Sequence, residues 1–369
     1  MLDIMTIVGA RPQFVKAAVF SRQVRSQQYA DRIHEAIVHT GQHYDENMSD
    51  IFFREMEIPE PDVNLGIGSG SHGAVTGAML EGIEAEILSR KPDLVLVYGD
   101  TNSTLAGALA AAKLNVPVAH VEAGLRSYMM VMPEEQNRRL TDHLATWLFC
   151  PTDTAVENLA KEGIVDHGLV NPSADSKAVL QCGDIMYEAS LYYRPKALAQ
   201  SESQFRVLPK TFALLTLHRA ENTDEPACIK AIVNALNRFD SIEFVFPVHP
   251  RTRKILAQYE LELKPHIHAI DPVGYFEMLA LEDRCSFVVT DSGGVQKEAY
   301  FFQKPCITLR DATEWRELVE HGWNTLVGAD EKAILGALSA MPKYGDSTLL
   351  YGDGKTAAHI AEALLSWQE

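Results

Sequence analysis

From residue 4 almost to the C-terminus, short β-branched runs alternate with stretches of helical period. Residues 4–8, 33–39, 94–98 and 116–121 read as strands, and residues 14–24, 74–89 and 104–114 as the helices between them. Strands that are unbroken apolar runs are covered on both faces, and with helices between them they imply a parallel sheet of α/β type. A second series repeats the pattern, with strands expected at 211–217, 244–248, 287–290 and 306–309 and a final helix at 357–367. A chain of 369 residues is long for a single core and comfortable as two. Gly, Asn, Pro and Ser accumulate between residues 163 and 181, so the link is expected there. The expected domains are residues 1–170 and 180–350. Two such domains are expected to face a cleft, because ligands of open α/β sheets bind beyond the carboxyl ends of the strands. A residue that does chemistry should therefore sit just after a strand.

Composition removes several classes of function. The formal net charge is −17, from 33 basic and 50 acidic side chains, so nucleic acid and anionic membranes are repelled overall. An anionic small molecule remains admissible, because screening confines each charge to roughly 8 Å in cellular salt. The five cysteines are far apart, with no CxxC pair, which argues for buried thiols in a reducing compartment. The first residues read as a strand rather than a signal peptide, and no stretch has the apolar length of a membrane span. A cytoplasmic protein is expected. Neither HExxH nor DxD occurs, so no catalytic metal is expected. Gly68-Ser69-Gly70-Ser71-His72-Gly73 fits GxGxxG, but it does not follow the first strand of a βαβ unit, as a dinucleotide site requires. It reads as a loop before a helix, and no cofactor is expected.

Several motifs meet the strand-end criterion. Gly9-Ala10-Arg11-Pro12-Gln13-Phe14-Val15-Lys16 follows the first strand, and a helix opening there presents free N–H groups to an anion, with Arg11 and Lys16 adding charge. Solvated basic residues on a plain turn are the bland alternative. Asp100 ends one apolar strand and Glu122 the next, and Glu134 opens a helix in Pro133-Glu134-Glu135-Gln136-Asn137-Arg138. Neighbouring strands lie about 4.8 Å apart, so two acids at their ends can share a small volume and take separated pKa values, one giving a proton and another receiving it. Each acid also has a structural reading: Asp100 as a helix cap, Glu122 as an ion-pair partner, Glu134 as a first-turn residue favoured by the helix dipole. Asp291-Ser292-Gly293-Gly294 bares backbone amides suited to a pyrophosphate, and Glu298, one turn inside the helix, suits the two ribose hydroxyls. His218-Arg219 and His249-Pro250-Arg251 follow two further strands and suit phosphate, while Arg310, Asp311 and Glu314 suit nucleotide or sugar.

These motifs, together with Gly41-Gln42-His43, Val121-Glu122-Ala123-Gly124-Leu125-Arg126 and Pro247-Val248-His249-Pro250, resemble in order the bacterial non-hydrolysing UDP-N-acetylglucosamine 2-epimerases over nearly the whole chain. The resemblance implies a GT-B fold of two Rossmann-like domains, a C-terminal helix (355–369) packing back on the first domain, and a homodimer. It implies catalytic roles for Asp100, Glu122 and Glu134 with His218 nearby, and a site role for Arg138. It assigns Arg11, Lys16, Ser292, Gly293, Gly294 and Glu298 to the nucleotide. The reaction implied is inversion at C2 of a UDP-2-acetamido sugar, by elimination of UDP to a glycal and its return. Ala10 and Gln13 stand where common members have Thr and Glu. The Arg-Pro-Gln-Phe start, the 68–73 loop and Thr313-Glu314-Trp315 resemble a subgroup acting on UDP-2,3-diacetamido-2,3-dideoxy-glucuronic acid for lipopolysaccharide O-antigen. The alternatives are a UDP-GlcNAc/UDP-ManNAc 2-epimerase, a GT-B glycosyltransferase sharing the nucleotide site, and a non-catalytic sugar-nucleotide binder.

Overall fold

The computed structural model describes residues 1–41, 56–202, 204–340, 343–346 and 348–367; Gln42 and His43 of the sequence motif lie outside them. The chain divides into two units, Met1–Ala189 with Leu349–Glu369, and Ser190–Thr348.

The first unit is a seven-stranded parallel sheet in the order β3-β2-β1-β4-β5-β6-β7. Its strands are β1 (Leu2–Val8), β2 (Ile33–His39), β3 (Val63–Asn64), β4 (Leu94–Tyr98), β5 (Val118–Val121), β6 (Trp147–Cys150) and β7 (Ala178–Gln181). All five residues of β4 are fully buried, as a strand covered on both faces requires. The strand order reverses direction between β1 and β4, and such switch points open a crevice for ligands at the carboxyl ends. The motifs Gly9-Ala10 and Gly99-Asp100 lie on either side of it.

The second unit repeats the plan with six strands, β10-β9-β8-β11-β12-β13. They are β8 (Phe212–Thr216), β9 (Glu243–Pro247), β10 (Ile267–Ile270), β11 (Val288–Thr290), β12 (Cys306–Thr308) and β13 (Asn324–Leu326). Its switch point lies between β8 and β11, at the motifs His218-Arg219 and Asp291-Ser292-Gly293-Gly294.

One expectation is corrected. The segment 163–181 is not a link throughout, because Ala178–Gln181 pairs with β6 as the edge strand β7; the unit boundary falls inside the helix Ile185–Ser201. His266 lies in the turn before β10 and is half-buried. His268 belongs to β10 and meets Glu243 on β9, and His266 Nε2 lies 3.0 Å from the Leu236 carbonyl. The Thr356–Ser366 helix belongs to the first unit, packed on the helix Arg11–Val24, where Tyr29 Oη donates to Glu362 across 3.2 Å. The stretch 68–73 leads into the helix His72–Arg90, after the short edge strand β3. Among the described residues no helix is long and apolar enough to cross a membrane, and four of the five thiols are buried, with Cys228 half-buried.

Leu96, at the centre of β4, has no exposed surface. Leu96→Ala should cost about 2–5 kcal/mol of stability, read as a lower urea midpoint with an unchanged slope for the first unit.

Candidate active site

In the first unit the turn after β1 is built on close approach rather than unusual dihedrals. A Cβ on Gly9 would come within 2.1 Å of Ser103 Oγ and 2.3 Å of Thr40 Oγ1, two hydroxyls 2.8 Å apart. Gln13 then ties β1 to β4. Its Oε1 accepts from the Gly9 and Ala10 amides (2.9 and 3.0 Å), and its Nε2 donates to the Tyr98 carbonyl and Thr104 Oγ1 (2.8 and 2.9 Å). Arg11 opens the helix; its side chain lies outside the described part of the structure.

The acids beyond β4 and β5 are neighbours by register, since Tyr98 pairs with Val121. Thr101, not Asp100, caps the helix Asn102–Lys113, through its hydroxyl and the Thr104 amide. Asp100 is thereby released from the capping role and forms an ion pair with Arg138, Nη2 at 2.8 Å and Nε at 3.0 Å. Glu122 is 7% exposed and pairs with Lys16. Lys16, expected at the diphosphate, thus has its ammonium on a carboxylate of the neighbouring strand end. A Cβ on Gly99 (φ +63°) would lie 3.3 Å from Lys16 Nζ and 3.4 Å from Glu122 Oε2, so the bare glycine leaves room for that pair. Glu122 itself holds φ +69°. A left-handed non-glycine costs about 1–2 kcal/mol, and such strain gathers at functional sites.

The helix Pro133–Leu144 supplies the remaining groups. Glu134 is exposed at its first turn. The adjacent Glu135 is fully buried and accepts from the Ser127 amide (2.8 Å) and hydroxyl (3.0 Å), the Tyr128 amide, Arg138 and Arg139. Burial alone would raise its pKa; the Ser127 donors and the two arginines outweigh it and hold the carboxyl below its usual range. Asn137 donates to the Asp100 carbonyl at 2.9 Å. Sequence reasoning missed Glu135, Asn137 and Asp142 as supports. The only available signal was polar residues at helical spacing, which equally describes a solvated face.

In the second unit Asp291 is fully buried and gathers the β8 end onto the β11 end, accepting from the His218 amide (3.1 Å), the Arg219 amide (2.9 Å) and Asn222 Nδ2 (3.2 Å). Ser292 caps the helix Gly293–Phe301, and Gly294 is exposed there. Glu314 Oε1 lies where a Gly293 Cβ would be 2.2 Å away and 4.0 Å from Arg219, while Oε2 accepts from Arg310 at 2.8 Å. Burial pushes the Glu314 pKa up, but Arg310 and then Arg219 leave it lowered. Burial lowers the His218 pKa against the opposing pull of Asp291, with His249 and Arg219 adding to the fall, so the imidazole is neutral at neutral pH. Its ring lies 6.2 Å from that of His249. Glu298 is half-buried beside the fully buried Glu282, whose pKa is driven far up by burial and then by Glu298. Arg251 is exposed and paired with Asp224, and Asp311 is exposed. Among the described residues no group of three His, Cys, Asp or Glu side chains could hold a metal ion.

The model of the UDP-N-acetylglucosamine 2-epimerase family matches residues 25–365. The chain belongs to that family. Its members are epimerases, a class of isomerase. The chain is 50% identical to the UDP-2,3-diacetamido-2,3-dideoxy-D-glucuronate 2-epimerase of Pseudomonas aeruginosa, over 98% of this chain and 99% of that one. It is 31% identical to the UDP-N-acetylglucosamine 2-epimerase of Escherichia coli, over 98% of each. Among solved structures, the Methanocaldococcus jannaschii UDP-GlcNAc 2-epimerase in complex with UDP-GlcNAc and UDP superposes with a TM-score of 0.83 at 42% identity, covering 98% of this chain and 99% of that one. The Neisseria meningitidis enzyme bound to UDP-GlcNAc gives a TM-score of 0.83 at 29% identity, covering 99% and 100%. The two-sheet α/β fold is therefore the GT-B-like fold of these epimerases.

Two expectations attach to the first-unit geometry. Gly124 has φ +79°, and a Cβ there would meet the Ala155 carbonyl oxygen at 2.3 Å. Gly124→Ala should lower the melting temperature by several degrees, a loss of about 2 kcal/mol or more, and scanning calorimetry measures it. Burial would raise the Asp142 pKa, but the His120 hydrogen bond and charge, then Arg126, leave it lowered. A depressed carboxyl contributes stability that is complete above its unfolded value, about 3.9 for Asp and 4.3 for Glu, and that is lost as pH falls through the lower folded value. Melting temperatures taken from pH 7 to 3 should fall most steeply below about 4, and less steeply in Glu135→Gln.

Proposed function

We propose that this chain interconverts UDP-2,3-diacetamido-2,3-dideoxy-glucuronic acid and its manno epimer, in the cytoplasm, as a homodimer, for O-antigen polysaccharide synthesis. The near full-length likeness to the Pseudomonas aeruginosa enzyme carries the substrate reading. UDP-GlcNAc is the second reading, favoured by the Methanocaldococcus jannaschii structure that holds it.

The C2 hydrogen has no adjacent carbonyl to acidify it, so the reaction proceeds by elimination. A carboxylate takes the C2 proton, the C1–O bond breaks, UDP leaves with the bonding pair, and a C1–C2 double bond forms. UDP then returns through its oxygen to C1 while an acid delivers a proton to the other face of C2. The chemistry needs a base, an acid on the opposite face and a leaving group that is not lost. Asp100, Glu122 and Glu134 are the candidates for the proton transfers. The placement of Asp100 and Glu122 beyond the paired ends of β4 and β5, where Tyr98 faces Val121, supports this reading. Neutral His218 is a further proton-handling group. Ser292, Gly293 and Gly294 offer amides to the diphosphate, with Arg11, His249, Arg251 and Arg310 adding charge. Glu298 takes the ribose hydroxyls and Asp311 a nucleotide or sugar hydroxyl. Elimination leaves the redox state of the sugar unchanged, so the reading includes no redox cofactor.

Proton NMR in deuterated water tests the reaction: deuterium should enter C2 of the diacetamido uronate faster than C2 of UDP-GlcNAc. Faster exchange with UDP-GlcNAc would replace the first substrate by the second, and sugar transfer without exchange would favour a glycosyltransferase. Asp100→Asn and Glu122→Gln should each cut exchange at least about a hundredfold while UDP affinity stays within about threefold. Wild-type exchange in both variants would remove the carboxylate assignment.

A further inference from the structure

We propose that the buried Asp142–His120 pair is the positioning device of the first-unit site, fixing the Asp100 and Glu122 turns through their main chains. This rests on the reading of those two carboxylates as catalytic. Asp142 lies two turns beyond Glu134 on the Pro133–Leu144 helix, and His120 lies within β5; both are fully buried. Asp142 Oδ2 accepts from the Gly124 amide at 3.2 Å, in the turn that carries Glu122. Asp142 Oδ1 lies 2.7 Å from His120 Nδ1, and His120 Nε2 lies 2.8 Å from the Gly99 carbonyl, in the turn that carries Asp100. One carboxylate thus reaches both catalytic turns, directly in one case and through an imidazole in the other.

The partners also fix the hydrogens. A main-chain carbonyl only accepts, and an ionised carboxylate only accepts, so both ring nitrogens must donate. The ring is an imidazolium, and with Arg126 it makes two cations. Asp142 and Glu162 make two anions, Arg126 meeting Asp142 at 2.7 Å and Glu162 at 2.8 Å. The cluster is neutral as a whole, which is what a buried charge network needs to be tolerated. The cluster grips the two turns by main-chain groups, the Gly99 carbonyl and the Gly124 amide, so it acts on the placement of Asp100 and Glu122. Gly99 and Gly124, the residues it holds, both have left-handed φ, +63° and +79°, conformations that a loose turn would readily leave.

The test combines NMR with kinetics. In protein carrying 15N-labelled histidine at pH 7.5, one imidazole should show both nitrogens protonated, and that signal should be missing from H120Q. His120→Leu should lower kcat about a hundredfold, the order expected for misplacing reacting groups by an ångström, with UDP affinity within about twofold of wild type. Gln keeps an amide donor for the Gly99 carbonyl, so H120Q should retain about tenfold more kcat than H120L. A singly protonated ring in the wild-type protein would overturn the proposal, even if neither variant folds. So would wild-type kcat in folded H120L, or kcat and UDP affinity falling together. Should Asp100→Asn and Glu122→Gln both stay active, the catalytic reading fails while the ring signal remains, so the two failures are distinct.

Discussion

A strand covered on both faces has no place for a charge along its length. In β4, five successive residues are fully buried and none carries a charge at neutral pH, because burial pushes the Tyr98 phenol far up. Around β4 and β5 the ionised groups therefore lie beyond the strand ends, or inside as a compensated cluster of His120, Asp142, Arg126 and Glu162. The register of β4 against β5 makes those ends adjacent, and the switch point between β1 and β4 opens the crevice beside them. The acid-rich turns follow from where a parallel sheet can tolerate charge.

The support of each turn is mostly main-chain. Gln13 uses its whole amide to join the β1 exit to the β4 end. Asn137 holds the Asp100 carbonyl, and Glu135 fastens the loop at Ser127. Supports that grip backbone leave the functional side chains free to meet cations or ligand. The second unit uses the same device, with Asp291 accepting the two amides that follow β8. Placing an acid by its backbone costs little of its own hydrogen-bonding capacity, which is what a group that must exchange protons requires.

The wholly apolar β4 and the mainly apolar β2 were legible and match the sequence expectation at both ends, whereas the apolar but four-residue β6 was not. The strand-end acids and the Ser-Gly-Gly turn were legible too, because glycine and carboxylate interrupt an apolar pattern at a defined point. Edge strands were not. β7 follows a polar, glycine-containing stretch, and β10 carries His268, so neither has the double burial that marks a central strand. Ion pairs between residues 106 apart, such as Lys16 and Glu122, leave no local pattern. The basic residue was legible as a site residue and its partner was not. Buried polar supports were hidden for a related reason: Asp142 and Glu135 sit on a helix whose spacing is equally that of a solvated face, and only the tertiary fold decides between them.

Glu134, Arg138 and Asp142 recur every fourth residue on one helix, so an exposed acid, the counterion of Asp100 and the buried anchor share a single rod. An α-helix turns about 100° per residue. Inserting or deleting one residue between Glu134 and Asp142 would swing one end of that triplet away from the other, separating acid from anchor in a single genetic step. Substitutions can be absorbed one position at a time, but length cannot. The helix is therefore the segment of this chain in which indels are least tolerable, and sequence divergence among enzymes built this way should accumulate in the loops on either side of it.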